Sequence, residues 1–406
     1  MVKNLKVSRN FLFTLLIGLV IAVIASVAIF LAKGYRFSPE KVSFSGTGII
    51  SITSVPDQAS VFLDDHLITA TNANINSLVP KTYKVKIQKD GFIAWEKQVE
   101  VKVGLVTDIK ATLFPAIPTV YPLTYNGVLN PVLSPDGQKL VFVVPVSSDQ
   151  TLNQAKKSGI WVWTMSEKQL AFARGNEPHQ IMQSLPGLDF SKGSFHFSPD
   201  SSQLLFSLPD RNLLLDPNQL NDNPRDITPI LNPTLNGWKD EAKVKDSAAI
   251  LAIKDLNLRN IASNSATLIW SPDETKFLYS DQKTSLLENY DDLSSSSSAN
   301  LSEVSADKNF GQTFNFKIAD LTDRKTYNLP KTQFVAWLPD SRHLVLVNKD
   351  KISVVEFDGS NQSVIFAGNF NPKVAYPWPD GSRLMIISSL PTPTAEQPNL
   401  YGINLK

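Results

Sequence analysis

Five aspartates stand at matching places in five similar stretches, and a recurring carboxylate is the first feature of this chain that could do chemistry. They are Asp136, Asp200, Asp273, Asp340 and Asp380. Each follows a proline, and a three-residue apolar run begins four places after it: Leu140-Val-Phe142, Leu204-Leu-Phe206, Phe277-Leu-Tyr279, Leu344-Val-Leu346 and Leu384-Met-Ile386. Carboxylates gathered into a ring would suit a hard cation, which takes oxygen ligands. The same dipeptide is also a turn former, because proline presets φ at the second turn position and Asp bonds its own backbone two residues on. Turn formation accounts for the proline as well as the aspartate, and it is the role assigned to all five.

Other chemistries find less to work with. The four histidines, His66, His179, His196 and His343, have no ligand-like spacing, and neither a His-Glu-x-x-His helix nor a calcium loop occurs. Cysteine is absent, which removes disulfides, thiolate metal sites and cysteine nucleophiles. No Gly-x-Ser-x-Gly elbow is found. Glycoside cleavage needs two facing carboxylates. The segments leading into the turns, 127–134, 194–198, 266–271, 332–338 and 373–378, contain no acid, and Asp189 is the single candidate nearby. Trp270, Trp337 and Trp378 would make either a sugar platform or packing between sheets, and packing is the expectation. No catalytic, cofactor-binding or metal-binding residue is assigned, no cofactor is expected, and the chain is expected not to be an enzyme.

Composition sets the frame. The 406 residues allow two or three domains, and 42% hydrophobic with 19% charged residues describes folded material rather than disorder. A net charge of +1 gives no electrostatic footprint for nucleic acid.

The elements that must position the aspartates are repeats. The copies are Val132-Leu-Ser-Pro-Asp-Gly-Gln-Lys-Leu-Val-Phe142, Phe195-His-Phe-Ser-Pro-Asp-Ser-Ser-Gln-Leu-Leu-Phe206, Leu268-Ile-Trp-Ser-Pro-Asp-Glu-Thr-Lys-Phe-Leu-Tyr279, Val335-Ala-Trp-Leu-Pro-Asp-Ser-Arg-His-Leu-Val-Leu346 and Tyr376-Pro-Trp-Pro-Asp-Gly-Ser-Arg-Leu-Met-Ile386. Strands wetted on one face alternate, so runs apolar at every position imply sheets covered on both faces. Gly137 and Gly381 suit the last turn position, whereas Ser201, Glu274 and Ser341 fit it less comfortably. These residues resemble the TolB-type (WD40-like, PD40) repeats of bacterial β-propellers. The resemblance covers 119–406 and implies a β-propeller of five blades, or six if one is degenerate, since the turns lie 64, 73, 67 and 40 residues apart. The chain ends on a third strand, and Thr119–Tyr125 is expected to add the fourth to it. Insertions are expected at 145–158, 237–264 and 281–311. The first and third extend loops between second and third strands, and the 237–264 insert has helical spacing. Residues 281–311 are rich in serine and acids, a composition that suits a mobile loop.

Ahead of the repeats lie two other segments. Residues 1–10 carry Lys3, Lys6 and Arg9 without an acid, and 11–32 are uncharged. A helix of that length spans about 33 Å, so a single-pass transmembrane helix with a cytoplasmic N-terminus is expected. Residues 45–114 read as short strands of period two, a small β-sandwich with one wet face. Ser54-Val-Pro-Asp-Gln-Ala-Ser-Val-Phe-Leu-Asp-Asp65, Leu78-Val-Pro-Lys-Thr-Tyr-Lys-Val-Lys-Ile87 and Lys89-Asp-Gly-Phe92 resemble the PEGA domain, with Gln58, His66 and Lys81 where the family favours glycine. That resemblance implies an extracytoplasmic module with no assigned chemistry. The fold expected is mainly β: a transmembrane helix, a PEGA-like sandwich, then a propeller with one helical insertion. The function expected is a membrane-anchored extracytoplasmic binding or scaffolding protein at the cell surface. Its propeller would present loops to a protein, peptide or envelope glycan, with a glycan-active enzyme as the alternative and no nucleic acid as partner.

Overall fold

A computed structural model describes residues 9–32, 35–38, 43–146, 157–165, 177–282, 312–390 and 397–406. The chain divides into two units, Met1–Phe114 and Pro115–Lys406.

The first unit begins with helix α1, Arg9–Ala32, in which Arg9 is the one charged residue. Among the described residues, however, no helix is long and apolar enough to cross a membrane, given the roughly 20 apolar residues that a hydrocarbon core demands. The transmembrane helix at 11–32 is corrected accordingly. So is the single-pass cell-membrane localisation with a cytoplasmic N-terminus, which rested on it.

A three-stranded sheet follows, in the order Ala73–Leu78, Gly48–Val55, Val106–Thr112, and a four-stranded sheet in the order His66–Ala70, Ser60–Leu63, Thr82–Gln88, Trp95–Glu100. Period two decides which side chains meet. In Thr82–Gln88 the residues Tyr83, Val85 and Ile87 are buried, while Lys84 and Lys86 between them are only half-buried. Ile50, Ile52, Val61, Leu63, Val85, Ile87 and Trp95 share one core. Of the three residues standing where glycine was expected, Gln58 does take a left-handed φ of 56°. Near His66 it is Asp64 and Asp65 that turn the chain, at φ 48° and 66°.

The second unit holds five antiparallel four-stranded sheets. The first is Leu129–Leu133, Lys139–Val144, Gly159–Thr164, His179–Gln183. The second is Ser194–Phe197, Leu204–Ser207, Asn212–Leu215, Arg225–Asp226. The third is Thr267–Trp270, Lys276–Ser280, Lys317–Asp320, Lys325–Asn328, and the fourth is Phe334–Trp337, His343–Val347, Lys351–Glu356, Ser363–Ala367. The fifth takes Ala375–Pro377, Arg383–Ser388 and Asn399–Asn404, and its fourth strand is Val120–Pro122. The described residues form these five four-stranded sheets and no closed propeller sheet. The fold expectation of a closed propeller of five or six blades is corrected to five separate four-stranded sheets in a mainly β chain.

The apolar runs explain how these sheets are held. Leu204–Ser207, Lys276–Ser280 and His343–Val347 are buried at every position, which requires cover on both faces. Between the first and second sheets, Val141, Val143, Phe195, Phe197 and Phe206 interlock. Leu140, Phe142 and Trp163 of the first sheet pack with Trp378 and Met385 of the fifth, and Leu278 and Ile318 of the third with Trp337 and Leu346 of the fourth. The other face of the second sheet is covered by helix α2, Leu231–Ala252, whose Leu235 and Trp238 meet Leu205 and Ile227. Helix α3, Leu256–Asn264, sets Leu258 and Ala262 on Phe277 and Tyr279 of the third sheet. Helix α2 starts six residues before the helical insertion expected from Gly237, and Pro233 falls in its first turn, where a missing amide costs nothing. The expected insertions at 145–158 and 281–311 lie almost wholly outside the described residues.

Val120–Pro122 pairs with Tyr401–Ile403 in antiparallel register, as the sequence led us to expect. Backbone bonds extend the seam from Asn404 N to Thr119 O at 3.0 Å, from Leu123 N to Leu400 O at 2.8 Å and from Val128 N to Pro398 O at 2.8 Å. A chain starting at Asn126 loses most of these and leaves Asn399–Asn404 as a bare edge. We expect it to melt well below a chain starting at Pro115, by an amount on the order of a few kcal/mol, and to aggregate on heating. Coincident thermal melts of the two would show that this strand holds nothing.

Candidate functional site

The five aspartates sit in five hairpin turns built on one plan. The turn residue after each has a left-handed φ: 69° at Gly137, 60° at Ser201, 56° at Glu274, 56° at Ser341 and 65° at Gly381. Its amide bonds the carbonyl three residues back, as Gly137 does to Ser134 O at 2.8 Å and Ser341 to Leu338 O at 3.1 Å. The carboxylate then closes the turn from outside. Asp136 Oδ1 accepts from Gln138 N at 2.9 Å and Ser134 Oγ at 2.5 Å. Asp200 Oδ1 accepts from Ser202 N, Ser202 Oγ and Ser198 Oγ. Asp273 does the same with Thr275 and Ser271, and Asp380 accepts from Ser382 N at 2.7 Å. Asp340, preceded by leucine rather than serine at that place, uses both oxygens: Oδ1 takes the amides of Arg342 and His343, and Oδ2 meets His343 Nδ1 at 2.6 Å.

In three of the turns these bonds stabilise the ionised carboxylate. The Ser198 hydroxyl, then that of Ser202, holds Asp200 below the ordinary carboxylate range. Burial is the largest influence on Asp340 and Asp273 and works against ionisation, yet the His343 ring with the Arg342 and His343 amides for the former, and Thr275 with Ser271 for the latter, together outweigh it, so both end low. A depressed folded value means that this stability is complete above the unfolded value of about 3.9 and is lost as pH falls through the folded one.

Two serines in the left-handed position add a link that sequence reasoning missed. Ser201 Oγ accepts from Asp136 N at 3.2 Å, and Ser341 Oγ accepts from Asp273 N at 3.0 Å. Each hydroxyl ties its turn to the turn of the preceding sheet. The only signal in the sequence is serine where glycine would be more comfortable.

The remaining candidates are placed as follows. Asp189 caps a short 3-10 helix by accepting from Ser191 N and Ser191 Oγ, which lowers its carboxyl below the usual range, and Lys192 lies at 3.4 Å. No second carboxylate of the notional sugar-cleaving pair joins it among the described contacts. Trp378 is buried edge-on against Trp163, with the Arg383 guanidinium 4.6 Å above its ring. Trp337 donates to Ile269 O at 3.3 Å, and Trp270 packs on Phe277. The three indoles therefore belong to separate packing clusters and do not form one platform. His66 is exposed, with Nδ1 2.8 Å from Asp64 O. His179 and His196 bury Nε2 without a partner, and burial pushes the His196 imidazole down to about 4. Among the described residues no group of three His, Cys, Asp or Glu could hold a metal.

What this unit offers to the outside is the helical insert. Helix α2 buries Leu235 and Trp238 near its start, while Val244 and Leu251 are 70% and 69% exposed. Ala248 between them is exposed as well, so the three form an apolar stripe at helical spacing. A cleft of about 380 Å³ opens where α2 meets α3, lined by Lys254, Asp255, Leu256, Asn257 and Arg324.

The turn geometry yields two predictions. Glu274 pays for a left-handed backbone without using its side chain in the turn, so Glu274→Gly should stabilise by about 1 kcal/mol. Ser341→Gly relieves the same strain but strips Asp273 N of its acceptor, and its gain should be cancelled or reversed. Equal gains in urea melts of the two variants would show that the serine link contributes nothing. Asp340→Asn weakens the carboxylate that holds the buried His343 ring; it should cost about 1–3 kcal/mol at neutral pH and flatten the loss of stability below pH about 4.

Comparison with known proteins bears on each unit separately. No curated protein matches the chain. Among solved structures, putative TolB from Agrobacterium tumefaciens matches at 14% identity and a TM-score of 0.22, over 66% of this chain and 76% of that one. TolB from Acinetobacter baumannii matches at 13% identity and a TM-score of 0.23, over 80% of this chain and 60% of that one. The β-propeller domain of the Trilobed protease from Pyrococcus furiosus matches at 12% identity and a TM-score of 0.21, over 69% and 70%. Likeness at such TM-scores carries no functional argument. At the level of a family, this chain is similar to the PEGA domain, whose model matches residues 47–117.

Proposed function

We propose that the chain is a non-catalytic binding or scaffolding protein whose partner is a protein or peptide held through the helical insert. The observation that carries the reading is the exposed stripe of Val244, Ala248 and Leu251 on a helix fixed near its start by Leu235 and Trp238. A helix stiffly mounted on a sheet, with its middle left apolar and open, costs little to order on binding. The turn carboxylates support the same reading from the other side. Each accepts from amides or hydroxyls of its own turn, a turn-forming role that accounts for its presence without acid–base work. The PEGA-domain match adds a module for which the family resemblance implies no chemistry.

An insert of this kind serves either as a lid packed on its own sheet or as a contact for a partner. The two roles divide along the helix: Leu235 and Trp238 do the packing, and Val244 to Leu251 remain available.

The test is a double substitution, Val244→Asp with Leu251→Asp. Both positions are exposed, so thermal stability should move by no more than about 0.5 kcal/mol. Capture of partner proteins by cross-linking, scored against the wild-type chain, should fall steeply. Asp136→Asn and Asp200→Asn serve as the control and should lower stability without changing capture. A double variant that captures the same proteins as the wild type would sink the reading.

A further inference from the structure

Asn-Gly is the dipeptide most prone to deamidation, because glycine leaves its amide nitrogen unhindered to attack the asparagine side chain. It occurs twice in this chain, at Asn126-Gly127 and at Asn236-Gly237. Both asparagines are exposed. The two amide nitrogens are restrained by different means. Gly237 lies inside α2, where its N–H belongs to the helical ladder. Gly127 lies in an irregular bend just before the first sheet, and its N–H donates to Asn399 Oδ1 at 3.0 Å. Asn399 is 3% exposed and opens the last strand. The same oxygen accepts from Thr124 Oγ1 at 3.1 Å, and Leu400 N in turn donates to Thr124 Oγ1 at 3.0 Å. The restraint on Gly127 is therefore tertiary: it exists only while the last strand is paired with the segment from Thr119 to Val128.

Glycine is also fixed at this place. Gly127 has φ 78°, and an added Cβ would lie 2.8 Å from Gln397 Cβ. No residue with a side chain can occupy it without moving the seam, so the labile bond is built into the junction.

We propose that Asn126 is a latent deamidation site, masked by Asn399 and unmasked when the last strand leaves its sheet. In the reaction the Gly127 nitrogen forms a bond to Asn126 Cγ and the side-chain amide leaves as ammonia. Water then opens the cyclic imide to aspartate or isoaspartate. The product puts a negative charge beside the seam, and in the isoaspartate case an extra backbone carbon. Either change disfavours re-pairing, so the first opening that lasts long enough becomes permanent. Asn236 has no such dependence and provides an internal reference in the same molecule.

The test is peptide mapping of the full chain by mass spectrometry after incubation at mildly alkaline pH, following conversion at Asn126 and Asn236 together. In the folded wild type both should be slow, and in denaturant both fast. Asn399→Ala should raise the Asn126 rate at least about tenfold, since it removes both hydrogen bonds that Asn399 Oδ1 accepts, with Asn236 unchanged. An Asn126 rate equal to that of the wild type overturns the proposal, and so does acceleration of both sites together. The wild type gives a second measurement that needs no variant. In urea too dilute to melt α2, conversion at Asn126 should rise in step with hydrogen exchange of the Gly127 amide, and a rate indifferent to that exchange overturns the proposal.

Discussion

A strand that is apolar at every position has no side to turn to water. Leu204-Leu-Phe206, Phe277-Leu-Tyr279 and Leu344-Val-Leu-Val347 are such runs, in strands buried end to end, and most of the second unit follows from finding cover for both of their faces. Neighbouring sheets provide most of it, through the clusters that join the first sheet to the second and to the fifth, and the third to the fourth. Where the second and third sheets need more, α2 and α3 provide it with Leu235, Trp238, Leu258 and Ala262. A full apolar side chain gains about 1.5–3 kcal/mol by burial. That reward recurs at every position of these runs, and the rest of the fold is arranged to collect it.

The same constraint explains why the aspartates do structural rather than chemical duty. A buried strand must be entered by a short turn, and a short turn leaves backbone amides pointing outward with no ladder partner. The aspartate one residue before the left-handed position is placed to accept them. Where Ser198 and Ser202 engage Asp200, or Arg342 and His343 engage Asp340, the carboxylate is lowered in proton affinity and committed to its own turn. Ser201 and Ser341 carry the economy one step further, satisfying an amide of the preceding turn while closing their own.

The first unit meets the opposite problem. Its three-stranded and four-stranded sheets end in four edge strands, and open edges invite pairing with other chains. Two edge strands are defended by charge, Glu96, Lys97 and Glu100 on one and Asp108 and Lys110 on the other. The other two, His66–Ala70 and Ala73–Leu78, bear no Asp, Glu, Lys or Arg, and each instead carries a register shift that breaks the regular row of backbone groups. In these two sheets each uncharged edge is interrupted, whereas each charged edge runs straight.

Local pattern was enough for a good deal of this. The five Pro-Asp turns, the wholly buried strands behind them, the period-two strands around Val85 and Ile109, and the pairing of Val120–Pro122 with the end of the chain were all legible, because each depends on residue spacing or on a missing strand. The sequence also placed a helix near Gly237, though not its start at Leu231, since two prolines there mimic a loop. Other features depended on groups far apart in the chain. The hydroxyl links from Ser201 and Ser341, the His343 ring against Asp340 within an otherwise ordinary turn, and the grip of Asn399 on Gly127 across 272 residues are hydrogen bonds whose partners no spacing rule connects. The run of apolar residues from 11 to 32 suggested a membrane span by length alone, yet among the described residues no helix meets that requirement. The repeats likewise suggested a propeller of five or six blades, whereas the described residues form five separate four-stranded sheets and no closed propeller sheet. Repetition in sequence specifies the unit that folds, because turn and strand are local; which sheet or helix covers each buried face is decided by contacts between residues far apart in the chain, which only the tertiary structure determines.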